Sequence, residues 1–298
     1  MNEFQLIDKI KKIVGSDIIG DDTAPIKIGD KTLLLTNDIL LEGQHFLDYF
    51  PQEFLAWKAI SVNVSDIITS GGKPKYVLVS LLLPENKTFL IEKIYQSIKK
   101  ACQYYHCQVI GGNITKSERL GIDIFMVGET KKFVSRRNAK PGDCVYLTGP
   151  IGDSRAGLKL LMMKKNSYEL FEKKLIRTHL KPIIDIGLSD CLSKNASAAI
   201  DISDGLSSDI YHMANLSKIK IDIDSKKIPL SNELKLFCKK YHYNPINYAL
   251  SGGEDYQILF TQLISSRFFL IGKVSVGKGV FLDGKKLKNR SFDHFSSS

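Results

Sequence analysis

Carboxylates in this sequence recur where the backbone is least constrained: Gly20-Asp21-Asp22, Thr36-Asn37-Asp38, Asp201-Ile202-Ser203-Asp204-Gly205 and Gly252-Gly253-Glu254-Asp255. Aspartates that only solvate a surface lie among lysines on polar helix faces, whereas these stand beside glycine or at the ends of apolar runs. Hard divalent cations such as Mg²⁺ take carboxylate and carbonyl oxygens and keep waters that a phosphate can displace. Asp-Gly loops that converge in space therefore make a metal and nucleotide site.

Each stretch also has a plainer reading. Asp204 or Ser203 can cap the helix that follows. Capping accounts for one carboxylate, not for two that flank a serine at a strand end, so metal or phosphate binding is expected beside it, and a helix N-terminus attracts phosphate as well. Gly20-Asp21-Asp22 is also an ordinary Asp-rich turn, and Asp38 at a strand end is open in the same way. Asp66 falls within an apolar helical stretch where an unpaired carboxylate is expensive to bury, which implies a cation partner, either a metal or a basic side chain. His45, in a loop after Gly43-Gln44, has no assignment from its surroundings. Asp222 and Asp224 alternate with isoleucine and read as a solvated strand face.

Two motifs fail on inspection. Gly272 to Gly279 mimics a phosphate-binding loop up to Lys278, but Gly279 stands where a hydroxyl is needed and no helix follows. Asp201 to Gly205 mimics a calcium hand, but Gly205 is the fifth loop residue and His212 the twelfth. No Ser-His-Asp order, zinc-type Cys/His cluster or nucleophile elbow is present.

The elements that must position these residues follow from periodicity. Residues 4–14 read as an amphipathic helix, and Lys31 to Thr36 as a buried strand that delivers Asn37 and Asp38 at its end. From Glu53 to Ser70 the pattern is helical, with Trp57, Ile60, Val64, Ile67 and Ile68 on the apolar side and a polar lane of Asn63, Asp66 and Ser70. Gly71-Gly72 ends it and Lys73-Pro74 prevents its resumption. A strand at 76–83, a helix at 87–105, a short strand at 108–110 before Gly111-Gly112-Asn113, and a strand at 122–129 complete an α/β first half. The polar, turn-rich stretch Arg136 to Gly142 is the expected boundary, giving an N-terminal α/β domain of residues 1–138 and a C-terminal α/β domain of 139–298. In the second half, strands are expected at 144–148, 198–202, 219–223, 256–261, 268–274 and 279–282. Helices are expected from Gly152 to 163, at 168–178 and 182–194, after Gly205 to 216, and at 231–241.

At 298 residues, with 43% apolar and 25% charged residues, the chain is long enough for two folded domains with real cores. The net charge of +10 is spread along the chain in pairs such as Lys11-Lys12 and Lys239-Lys240, which reads as a solvated surface rather than a nucleic-acid footprint. Five cysteines without a C-x-x-C are expected to be reduced thiols of a cytoplasmic protein. The N-terminal residues show no secretory apolar core, and the longest apolar stretch, Tyr76 to Leu83, is too short to span a bilayer.

Six stretches in order, GDDTAP (20–25), LLLTNDILLEGQHF (33–46), WKAISVNVSDIITSGGKPKY (57–76), VIGGNITKSE (109–118), AIDISDGLSSD (199–209) and ALSGGEDYQILFT (249–261), resemble thiamine-monophosphate kinase. That family belongs to the superfamily of aminoimidazole ribonucleotide synthetase and selenophosphate synthetase. The resemblance implies a two-domain α/β fold, with the N-terminal sheet pairing across a homodimer, and ATP-dependent phosphorylation of thiamine monophosphate to thiamine diphosphate. Positioning and charge neutralisation would carry the chemistry, without a covalent enzyme intermediate. It further implies that Asp22, Asp38, Asp66 and Asp204 serve the transfer. These four with Asp201 would hold several Mg²⁺ ions, assisted by Thr36 and Asn37, with room for a monovalent cation. Gly112, Asn113, Arg136 and Ser203 would meet the nucleotide phosphates and Tyr105 the adenosine. His45, Glu254 and Phe292 would meet the thiamine end, where a carboxylate suits a cationic ring. Three positions depart from the commoner pattern: Asn37 for a second threonine, Asn113 for the aspartate of a GGD form, and Phe292 for a tryptophan.

Other members of the superfamily fit less well. A selenophosphate synthetase is expected to carry a reactive cysteine near its N-terminal glycine loop, whereas the first cysteine here is Cys102. A hydrogenase-maturation relative is expected to end in a cysteine tail, where this sequence has His294-Phe295-Ser296. From another class, a nucleic-acid binder would interleave aromatics with basic residues on one face, a pattern these dispersed lysines lack.

Overall fold

A computed structural model describes residues 3–16 and 18–288, so Phe292 lies outside the described residues. The first half runs α1 (Glu3–Val14), β1 (Ala24–Ile28), β2 (Lys31–Leu41), α2 (Gln52–Thr69), β3 (Lys73–Leu83), α3 (Ile91–Tyr105), β4 (Gln108–Lys116) and β5 (Gly121–Thr130). It forms a five-stranded sheet in the order β1-β2-β5-β3-β4. Only β3 and β4 pair in parallel, because α3 supplies the crossover between them. The second half runs β6 (Cys144–Leu147), α4 (Asp153–Met162), α5 (Leu170–Leu180), α6 (Leu188–Asn195), β7 (Ala198–Asp201), α7 (Leu206–Ser217), β8 (Lys220–Ile223), α8 (Asn232–Tyr241), α9 (Pro245–Ser251), β9 (Ile258–Gln262), β10 (Phe269–Ser275), β11 (Gly279–Leu282) and β12 (Lys285–Lys286). Its sheet has the order β12-β11-β8-β10-β6-β9-β7.

The helix α2 is the hub. An amphipathic surface helix would bury one stripe, but from Leu55 to Thr69 every residue except Asp66 is buried, as expected of a helix enclosed on all sides. One side packs on the inner face of the first sheet through Leu34, Val77, Val79, Ile122, Ile124 and Met126. The same core continues into the second sheet through Tyr146, Ala199, Ile258 and Phe260. In β6, Val145 and Leu147 point the opposite way, into a second core with Ile200, Ile210, Met213 and Ile271 under α7. Polar groups on α2 tie the layers: Trp57 Nε1 donates to Pro182 O at 2.9 Å, and Ser65 Oγ donates to Asp201 Oδ2 at 2.6 Å.

Among the described residues no helix covers the outer face of the first sheet. Tyr76, Leu78 and Ile110 stand there 37–56% exposed, large apolar side chains in neighbouring strands.

Several elements differ from expectation. Asn37 and Asp38 lie mid-strand, because β2 continues to Leu41 in an unbroken antiparallel ladder against Phe125 and Ile124 of β5. Gly111-Gly112-Asn113 continue β4, which runs on from the expected 108–110 to Lys116. At Gly112 (φ +153°) a Cβ would meet Val79 O at 1.9 Å, so glycine lets β4 approach β3. The strand β3 begins at Lys73, with Pro74 accommodated at a register irregularity. Residues 85–90 form a 3₁₀ turn before α3, residues 182–187 are irregular before α6, and α9 was not expected.

Close helix contact sets the cavity wall described below. Gly157 of α4 faces α5 so closely that a Cβ would lie 2.1 Å from Leu175 O. Gly157→Ala should therefore cost about 1–3 kcal/mol, read by calorimetry as a thermal midpoint lower by roughly 2–6 °C. An unchanged midpoint would mean that the helices do not need that approach.

Candidate functional site

A cavity of about 1240 Å³ opens between the two halves, lined by the 18–24 loop, β2, the 44–50 loop, α2, Arg136, the start of α4 and the loops after β7 and α9. Of the residues singled out in the sequence, it brings together Asp22, Thr36, Asn37, Asp38, His45, Asp66, Arg136, Asp201, Ser203, Asp204 and Glu254. Neither Gly112 nor Asn113 lines it: Gly112 is in line with the inward-facing Val79 of β3, and Asn113 stands on the uncovered sheet face. Asn113 is in line with Ser80 of β3 and Asp123 of β5, whose Oδ1 accepts from Asn37 Nδ2 at 2.5 Å. Tyr105 is a correction: its ring is 1% exposed in the core of α2 and α3, and its hydroxyl is taken by Ser61 Oγ (2.9 Å) and Ile184 N (3.2 Å). It has no surface to offer an adenosine.

At the cavity floor, carboxylate oxygens of Asp22, Asp66 and Asp201 lie within 4.8 Å of one another. They come from a loop, the middle of α2 and the end of β7. Thr36 Oγ1 donates to Asp66 Oδ2 at 2.5 Å and Ser65 to Asp201. Arg136 pairs with Asp22 Oδ1, while Asp22 Oδ2 is buried with no hydrogen-bond partner. The loop carrying Asp22 is held by Asp21, which accepts from Ser135 Oγ and from Arg136 N at 3.0 Å.

Electrostatics follow from this crowding. Burial, only partly opposed by Arg136 and reinforced by Asp201 and Asp21, pushes Asp22 up to about 7. Burial, with Asp123 and Asp22 adding, pushes Asp38 up to about 6. Asp201 also rises to about 6, chiefly through burial, against the Ser65 hydrogen bond and Arg136. Asp66 is raised well above the carboxylate range by burial and by Asp38, Asp201 and Asp22. At an effective dielectric near 20, two like charges 4.8 Å apart repel by about 3–4 kcal/mol, so this trio cannot all ionise unaided in a protein of ordinary stability. A divalent cation resolves the repulsion, and the donor set suits it: hard oxygens from separate segments, a threonine hydroxyl beside them, and one orphaned buried oxygen.

Two buried carboxylates to which sequence reasoning assigned no role of their own build the loops. Asp255 accepts from Gly152 N (2.5 Å) and Ser154 N (2.9 Å) at the start of α4, and burial pushes it up to about 8 despite those bonds. Asp209 Oδ2 accepts from Gly205 N at 3.1 Å and Asp204 N at 3.3 Å, shaping the turn that presents Ser203 and Asp204. Its position at the C-terminal end of the DGLSSD run was the available signal.

The far end of the cavity is more apolar, with Phe46, Phe50, Leu158 and Met162 in its walls. Here His45 Nδ1 accepts from Leu41 N at 3.0 Å, which leaves the ring proton of the neutral imidazole on Nε2. Glu254 is held below its ordinary value: burial opposes ionisation, but the charge and hydrogen bond of Lys58 lead the groups that outweigh it.

The acidic floor makes a pH prediction. Groups of ordinary value 3.8 that rise to about 6–7 on folding keep protons that the unfolded chain has released. In chelator, stability should therefore be full near pH 4 and fall as pH rises through about 7. Calorimetry should show Mg²⁺ raising the midpoint more at pH 8 than at pH 5. An equal increment at both would mean that the ion binds elsewhere.

Comparison with known proteins agrees with this architecture. The family model for the AIR synthase related protein N-terminal domain matches residues 20–130, and that for the C-terminal domain matches residues 140–273. A thiamine-monophosphate kinase of Aquifex aeolicus is 53% identical over 302 residues, covering 99% of this chain and 98% of that one. A thiamine-monophosphate kinase of Buchnera aphidicola is 35% identical, covering 98% of each chain. The solved structure described as "AaThiL complexed with AMPPCP and TMP" superposes with a TM-score of 0.96 at 52% identity, covering 99% of this chain and 97% of that one.

Proposed function

Because the chain belongs to the thiamine-monophosphate kinase family of AIR synthase related proteins, we propose that it transfers the γ-phosphoryl group of ATP to the phosphate of thiamine monophosphate. The products are thiamine diphosphate and ADP. The carrying observation is the convergence of Asp22, Asp66 and Asp201 at one end of a cavity whose other end is apolar and holds Glu254 and His45. A phosphate oxygen of the acceptor attacks the γ-phosphorus, the bond to the β-phosphate oxygen breaks, and no side chain is phosphorylated on the way. In this reading Asp22, Asp38, Asp66, Asp201 and Asp204, with Thr36 and Asn37, hold Mg²⁺, which when bound neutralises the two anionic reactants. Arg136, raised further above its ordinary value by Asp22 and Asp21 although burial opposes its charge, stays cationic beside the phosphates. With Ser203 it orients the nucleotide. His45 and Glu254 receive the thiamine end.

The reading extends to the assembly. The uncovered face of the first sheet, with Tyr76, Leu78 and Ile110, meets the same face of a second copy in a homodimer. The division into residues 1–138 and 139–298 is part of the same proposal. So is a cytoplasmic location; among the described residues no helix is long and apolar enough to cross a membrane.

Incubation with ATP, Mg²⁺ and thiamine monophosphate, with chromatographic separation, should yield thiamine diphosphate and ADP; product from free thiamine instead would reassign the acceptor. Asp66→Asn should lower kcat by about 10³-fold or more without lowering the thermal midpoint in chelator, since it relieves repulsion. Full turnover in that variant would remove the metal assignment. Leu78→Asp should sediment as a monomer, and a dimeric variant would place the subunit contact elsewhere.

A further inference from the structure

Lys58 lies on α2 with its side chain 6% exposed, and its Nζ is 2.6 Å from Glu254 Oε1. Glu254 Oε2 faces His179 Nδ1 at 3.4 Å. His179 is neutral: burial, with the Lys58 charge adding and Glu254 opposing, pushes it down to about 3. Its Nδ1 is also 3.0 Å from Ser154 Oγ at the start of α4. The main chain at Glu254 is held independently, at φ +62°, with its N–H on Ser203 O at 2.8 Å. What the backbone does not set is the charge and direction of the carboxylate, and Lys58 is the cation paired with it.

Burying an ammonium ion costs several kcal/mol before its partner repays it, and the neighbouring α2 positions show that apolar side chains fill this layer well. A pure packing role would not need a lysine. Lys58 does not reach the cavity, whereas Glu254, with 29% of its side chain exposed, lines it. The ring of Phe50 packs edge-on against His179 at 6.0 Å, so this carboxylate belongs to the aromatic end. Tyr256 also lines the cavity and feels both Glu254 and the Asp38, Asp201 and Asp66 charges.

We propose that Lys58 is a positioning residue for the acceptor: by holding one oxygen of Glu254 from behind, it aims an anionic carboxylate at the cationic, amino-bearing heteroaromatic part of the substrate. His179 braces the other oxygen as a neutral partner. The inference rests on the thiamine monophosphate reading and adds a determinant of acceptor binding that does not touch the acceptor.

The test is steady-state kinetics on Lys58→Met with both substrates varied. KM for thiamine monophosphate should rise about tenfold or more, with KM for ATP and kcat changing by less than about threefold. In a Glu254→Gln background the same substitution should add less than about twofold, because Lys58 acts through that carboxylate. Lys58→Gln, which keeps a donor without the charge, should show the same split and serves if the methionine variant does not fold. Equal effects on both substrates, no effect in a folded variant, or full additivity with Glu254→Gln would overturn the proposal. Failure of the unsubstituted protein to phosphorylate thiamine monophosphate would instead overturn the functional reading beneath it.

Discussion

The repulsion among buried carboxylates is the constraint around which the molecule is arranged. Asp22, Asp66 and Asp201 come from segments that share no local structure, and their oxygens lie within 4.8 Å with one guanidinium, Arg136, to balance them. Folding that brings like charges together costs energy that other contacts must offset. The enclosed helix α2, packed against both sheets at once, is the element that supplies them. The site is therefore built by the core rather than added to its surface, and a cation held by these oxygens would be coupled to folding through the same atoms.

Around that floor, buried acids do a second kind of work, holding backbone rather than ions. Asp255 and Asp209 each accept two main-chain N–H groups, one at the start of α4 and one at the turn before α7. Both loops face the cavity, and both are irregular backbone that would otherwise leave buried donors unpaired. Ser65 does the same for a side chain, reaching from α2 to orient Asp201. Geometry good to a fraction of an ångström is what phosphoryl transfer demands of a protein that contributes no nucleophile.

The cavity changes character along its length, from clustered acids to aromatic and aliphatic walls that hold a single paired carboxylate, Glu254. That gradient matches an acceptor that is anionic at one end and a cationic ring at the other. The first sheet has a matching asymmetry: its inner face is a continuous core and its outer face presents exposed isoleucine, leucine and tyrosine beside Asn37, Asp123 and Asn113. Of the residues expected at the nucleotide phosphates, Arg136 and Ser203 line the cavity and Asn113 stands on that outer face.

Much of this was legible in the residues themselves. The helical span of α2 and its glycine stop, the alternation of β5 and the polar stretch before β6 follow from local periodicity and turn chemistry, which operate within a few residues of one another. So does the suspicion attached to Asp22, Asp38, Asp66, Asp201 and Asp204, since carboxylates beside glycine or within apolar runs are visible as types. What stayed hidden was set by packing between layers. A tyrosine beside a helix end reads as exposed or buried equally well, and only the α2–α3 contact buries Tyr105; a double glycine reads as the end of a short strand until the approach of β3 shows Gly112 to be a strand residue. Lys58 and Glu254 are far apart in the chain and meet at 2.6 Å. The sequence alone determined which side chains had the chemistry to hold cations and phosphates. Their meeting at one floor, with Glu254 paired to a lysine of α2, was decided by the stacking of two sheets on α2, because distances between remote residues are a property of how layers pack.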